Sequence, residues 1–183
     1  MKRWMMMTGC VLLFALTAGA QKYITKTGFI RFYSDAPLEK IEAMNRQVFA
    51  AVDISSGEFA FKVLMKSFKF EKALMQEHFN DNYVESDKFP NAEFRGKISN
   101  PGSVNFGKDG TYNATVEGKL TIHGISRDVR HAGTVEVSSG KILAKSKFTI
   151  LLSDYGIDIP AAVGRNISNT VEITVDVVLD KVE

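Results

Sequence analysis

Over much of this 183-residue chain, apolar and polar residues alternate with a period of two. In one run Tyr112, Ala114, Val116, Gly118, Leu120 and Ile122 alternate with Asn113, Thr115, Glu117, Lys119, Thr121 and His123. Successive side chains of an extended strand point to opposite faces, so such a run has one dry side and one wet side. Ala92–Ile98, Ile142–Ile150 and Val171–Leu179 repeat the pattern. Thr27–Ser34, Gln47–Ser55, Glu58–Ser67 and Ser126–Val137 bring the count to about eight strands. Ser55-Ser56-Gly57 and Ser138-Ser139-Gly140 suit tight hairpins between them.

Two segments break the rhythm. Glu71–Phe79 is rich in helix formers and spaces Ala73, Leu74, His78 and Phe79 to share one face. The helix should end before Phe89-Pro90, which favours extended backbone. Ser153–Ser168 is irregular and longer than common connections, and loops of that length tend to be lids or binding loops.

Consecutive one-sided strands must bury their dry faces. The expected fold is all-β, an antiparallel barrel of about eight strands with one short α-helix; closure removes both sheet edges. A two-sheet sandwich would satisfy the same pattern. The outward positions are Lys, Glu, Arg and Thr, whereas a membrane barrel would present apolar residues there.

Residues 1–20 read as a signal peptide: Met1-Lys2-Arg3, an apolar run from Trp4 to Leu16, and Ala18-Gly19-Ala20 at the cleavage site. The apolar run is too short to span a bilayer, so no integral membrane association is expected of the mature chain. Residues 21–183 form one domain, exported to the periplasm or secreted. Cys10 departs with the leader and has almost no apolar core before it, unlike a lipoprotein cysteine. Losing Lys2 and Arg3 reduces the 23 Lys and Arg to 21, equal to the 21 Asp and Glu. A neutral domain of this kind argues against nucleic-acid binding.

The chemistry-bearing residues do not assemble into a catalytic or metal constellation. His123-Gly124 occupies a hairpin corner, and the alternation count directs the His123 side chain to solvent. His78 and His131 stand on other elements, whereas a zinc site needs three or four ligands. The mature chain has no thiol and no Gly-x-Ser-x-Gly elbow, so neither a catalytic residue, a cofactor nor a metal is expected. His131 continues the inward phase of Val129, either as a core histidine bonded to backbone or as a polar fixture in a ligand cavity.

The dry faces carry Phe32, Phe59, Phe61, Phe94, Tyr112 and Phe148, with Ile98, Val116, Leu120, Val129 and Ile150 among them. They interleave with small residues: Ala92, Gly96, Ala114, Gly118, Gly133, Ala144 and Ser146. That mixture admits a filled core or an elongated apolar void. A hollow barrel would bind a long apolar molecule; a filled one would be a structural or protein-interaction module.

Gly118-Lys-Leu-Thr-Ile-His-Gly-Ile-Ser-Arg-Asp-Val129 resembles a motif of the YceI-like family of exported bacterial lipid- and polyisoprenoid-binding proteins. Lys88-Phe-Pro-Asn-Ala-Glu-Phe94 and Ser153-Asp-Tyr-Gly-Ile157 resemble two further family motifs, in the same order and spacing. The chain departs from the family at Thr27–Ser34, which lacks the usual His-Ser pair, and at Phe70–Asn82, which lacks an R-D-x-H-L pattern. The resemblance implies an extended lipocalin-like barrel with its helix near an opening. It also implies an apolar lipid or isoprenoid partner (a polyisoprenoid, isoprenoid quinone or fatty chain), with a homodimer left open. The loop residues Ile157, Ile159 and Val163 are expected to turn toward that ligand, since they would otherwise face water.

Overall fold

In the computed structural model, which describes residues 21–182, the antiparallel strands form one sheet closed on itself. They are β1 (Lys22–Asp35), β2 (Lys40–Asp53), β3 (Glu58–Leu64), the two-residue β4 (Lys69–Phe70) and β5 (Asn91–Ile98). Then follow β6 (Gly110–Ile122), β7 (Ile125–Ser138), β8 (Lys141–Leu151) and β9 (Thr170–Lys181). Around the barrel the order is β1-β9-β8-β7-β6-β5-β3-β2, and pairing of β1 with β2 completes the ring. β4 is a short addition against β2. The fold is thus the eight-stranded barrel expected from alternation, with closure in place of a sandwich. The proposed signal peptide lies outside the described residues.

The first two strands are longer than the alternation suggested, and the cause is a change of phase within each. On β1 the buried residues are Tyr23 and Thr25, then Gly28, Ile30 and Ser34. On β2 they are Ala43 and Asn45, then Val48, Ala50 and Val52. The β1–β2 register shifts between Thr25 and Gly28 and again between Gly28 and Ile30, the mark of bulging. An extra residue flips the parity of everything beyond it, so a strict period-two reading stops there. Asn45 sits fully buried at this irregularity with its amide satisfied: Nδ2 donates to Leu64 O at 2.9 Å, and Oδ1 accepts from Gln47 N at 2.8 Å.

The helix is shorter than expected. α1 covers Ala73–His78 and continues into a π-helical turn at Phe79–Tyr83. Of the residues expected to share its inner face, Phe79 is inward and His78 borders the barrel opening, whereas Ala73 and Leu74 are exposed, Leu74 at 59%, and Met75 takes their place. The Phe79 ring selects that face, lying 5.0–5.7 Å from the rings of Phe32, Phe68 and Phe70.

Packing divides the barrel lengthwise. At the end holding the β2–β3 and β7–β8 turns, Tyr23, Val52, Phe59, Ile98, Val135, Ile142, Val177 and Leu179 fill the interior. Each large side chain in this plug contributes about 1.5–3 kcal/mol by leaving water. A second cluster at the other end includes Ile30, Val48, Val63, Met65, Phe68, Tyr155 and Ile157.

Candidate functional site

A cavity of about 450 Å³ enters the barrel from this second end. That volume is within the roughly 300–1,000 Å³ of small-molecule sites. The strands contribute Phe32, Phe59, Phe61, Phe94, Val116, Leu120, Phe148 and Ile150, all named above as candidate contacts. His131 also lines it, as do Ile157 and Val163 from the long loop. Four further candidates lie elsewhere. Ile98 and Tyr112 belong to the plug, and the Tyr112 hydroxyl donates to Lys108 O at 2.8 Å. Val129 and Ile159 are half-buried outside the lining.

Several lining residues were not anticipated. Met65, Phe68 and Phe70 follow β3, while Met75 and Phe79 come from the helical segment. Phe68-Lys-Phe70 keeps an alternating spacing just past Ser67, and Met75 and Phe79 stand four apart, so both signals were present. Neither says which neighbour the ring will meet.

The small inward residues fall into two groups. Ala92, Ala114, Gly133, Ala144 and Ser146 border the cavity. Gly96 and Gly118 do not make void, contrary to the alternation argument. They are cross-strand partners where β5 and β6 approach closely, and a Cβ on Gly118 would fall on Arg95 O and Gly96 Cα.

Polar groups gather at the mouth. Glu39, in the β1–β2 connection, bonds Lys72 beside α1 at 2.9 Å, and this bond holds its carboxyl below the ordinary range. Leu38 N donates to Arg165 O at 3.0 Å, fastening the long loop to the same connection. Within that loop Leu152–Tyr155 and Ala161–Val163 are short 3-10 turns.

His123 requires a correction. It forms the expected hairpin corner with Gly124, at φ of +50° and +75°, the left-handed pair of a type I′ turn. Its side chain nevertheless does not face solvent, being only 13% exposed. Nδ1 lies 3.2 Å from Tyr155 O and Nε2 lies 2.8 Å from Glu85 Oε2. The ring also stands edge-on to Phe89 at 4.6 Å. Strand parity ceases to set side-chain direction once the backbone turns through positive φ. Nearby, Arg127 Nε donates to Asp154 O at 2.8 Å, and a Cβ on Gly124 would meet the Phe89 ring at 2.6 Å. The three sequence motifs therefore converge on one clasp at the open end. Their shared work is structural.

His131 does face inward. Its ring stacks on Phe148 with centroids 3.9 Å apart, and Nε2 is buried without a hydrogen-bond partner. Burial pushes its pKa down, favouring the neutral ring. Among the described residues no three His, Cys, Asp or Glu side chains are grouped to hold a metal.

By sequence, residues 28–179 match the YceI-like domain family. No curated protein matches the chain. Among solved structures it is similar to a polyisoprenoid binding domain from Saccharophagus degradans implicated in plant cell wall breakdown. That match has 14% identity and a TM-score of 0.75, over 87% of this chain and 97% of the other. BcnA of Burkholderia cenocepacia is similar at 16% identity and a TM-score of 0.67, over 83% and 95%. A Campylobacter jejuni YCEI protein is similar at 14% identity and a TM-score of 0.57, over 100% and 99%. At such identities the likeness concerns the fold.

Proposed function

The chain belongs to the YceI-like domain family, and from that premise we propose that it binds and carries a long apolar molecule, a polyisoprenoid, isoprenoid quinone or fatty chain. The carrying observation is the cavity of about 450 Å³, walled largely by aromatic and aliphatic side chains. The polyisoprenoid binding domain from Saccharophagus degradans, similar in fold, supports the same ligand class. Affinity would come from apolar burial at roughly 0.8 kcal/mol per methylene, or about fourfold in Kd for each carbon until the cavity is full. Association costs of about 4–15 kcal/mol set the minimum useful chain length.

Native mass spectrometry of protein purified from its host, followed by lipid extraction, tests this. A stoichiometric apolar molecule is the expected result. Recovery of none, together with no binding across a series of isoprenoid and fatty alcohols, would defeat the proposal. We place the carrier outside the cytoplasm on the strength of residues 1–20. N-terminal sequencing of protein recovered from the cell envelope should begin near Gln21.

A further inference from the structure

The barrel wall is not uniformly closed. β6 and β7 pair from Gly110↔Val137 through Ile122↔Ile125, and β8 pairs with β9 through Leu151↔Thr170. Between them, the β7–β8 ladder stops at Gly133↔Ser146. From there toward the open end, β7 residues Ile125–Ala132 and β8 residues Lys147–Leu151 run on with no pairing to each other. Three side-chain contacts bridge the gap. Ser146 Oγ donates to Ala132 O at 2.7 Å, His131 stacks on Phe148, and Arg127 reaches Asp154 O beyond the end of β8.

The cavity extends into this seam. Its lining includes His131 and Phe148 of the unpaired stretch, together with Gly133, Ser146, Thr134 and Lys145 of the last two bonded rungs beside it. The buried, partnerless His131 Nε2 beside this space carries a desolvation cost. Apart from the polar residues at the mouth, among them Glu39, His78 and Asn166, the rest of the lining is largely apolar. Among the described residues Asn80 Oδ1, Ser86 Oγ, Ser103 Oγ and His131 Nε2 are buried without a hydrogen-bond partner, and of these four residues only His131 lines the cavity.

We propose that the β7–β8 seam is a polar subsite of the cavity, where the hydrogen-bonding end of an amphiphile lodges against His131. The ligand is then a long apolar chain ending in a hydroxyl, carbonyl or carboxyl group, rather than a plain hydrocarbon. This rests on the apolar-ligand reading above and adds the position and chemistry of the polar end. A neutral imidazole offers one donor and one acceptor, so it serves any of those groups. The His131 ring must tilt on Phe148 to bring Nε2 to the ligand, and the missing ladder leaves the wall free to allow it.

The test compares two probes of equal length, pyrene-labelled dodecane and pyrene-labelled dodecanol, titrated by fluorescence into the full-length protein and into His131→Leu. The wild-type protein should favour the alcohol, and the alcohol-to-alkane preference should fall roughly 3- to 10-fold in the variant, the worth of one net hydrogen bond. An identical preference in both proteins would overturn the subsite while leaving the apolar-ligand reading intact. Binding of neither probe would overturn both. The imidazole 15N signals of the wild-type protein provide a readout that does not depend on a variant folding. Dodecanol should move those of His131 more than dodecane does, with His123, held by Glu85 and Tyr155, as reference. Equal shifts from both probes would also overturn the subsite.

Discussion

Replacing His123 with alanine tests whether the β6–β7 hairpin corner is a passive turn or a clasp. On sequence grounds the change is a surface substitution, worth about 0.5 kcal/mol or less. The structure argues for much more. Tyr155 is 2% exposed, and its carbonyl loses the imidazole Nδ1 donor, at about 1–3 kcal/mol for a buried group left unsatisfied. The edge-on contact with Phe89 adds about 0.5–1.5 kcal/mol. Glu85 adds little, because its side chain is 43% exposed and the pair is screened by water. Positive φ does not enter the difference, since alanine and histidine both bear a Cβ there. The expected loss is therefore about 2–4 kcal/mol, or a drop in Tm on the order of 4–16 °C for a chain of this size. Urea unfolding of the wild-type protein, His123→Ala and Glu85→Gln should rank His123→Ala far below the other two. A His123→Ala midpoint within the equivalent of about 0.5 kcal/mol of wild type would refute the clasp and restore the plain-turn reading.

Gly118→Leu should unfold or severely destabilise the protein, because its Cβ would collide with the β5 backbone at Arg95. Ala144→Leu, directed into the cavity, should cost less than about 1 kcal/mol, below the usual penalty of overpacking, while reducing capacity for long ligands; circular dichroism melts and lipid titration separate the two. We also expect residues 153–168 to act as a lid, since Ile157, Val163, Asn166 and Ile167 border the cavity. Hydrogen exchange in that segment should slow on ligand binding, and protection confined to the strands would remove the lid. His131 has a folded-state pKa below its unfolded value of about 6.5, so the unfolded chain takes up the proton first and stability falls as pH drops below that point. His131→Leu should flatten this part of the stability–pH curve; an unchanged slope would mean other groups carry it.

Alternation by itself determined the approximate strand count and which faces are dry and which wet, because side-chain parity is a local property of extended backbone. It placed Phe32, Phe61, Phe94 and Phe148 on inward faces for the same reason. It left barrel and sandwich open, and closure was decided by the pairing of β1 with β2. What it could not decide were properties that arise between strands. The phase changes near Thr25 and Asn45 depend on how β1 and β2 register. Gly96 and Gly118 looked like void until their strands were brought into contact. His123 met Glu85 and Tyr155 only because three segments distant in sequence fold over one end. The seam beside His131 belongs to the same class: a ladder ends where two strands diverge, and divergence is a distance that neither strand encodes alone. Tertiary structure thus decided where the barrel is full, where it is hollow and where its wall is open, since each depends on the separation of surfaces whose composition was already legible.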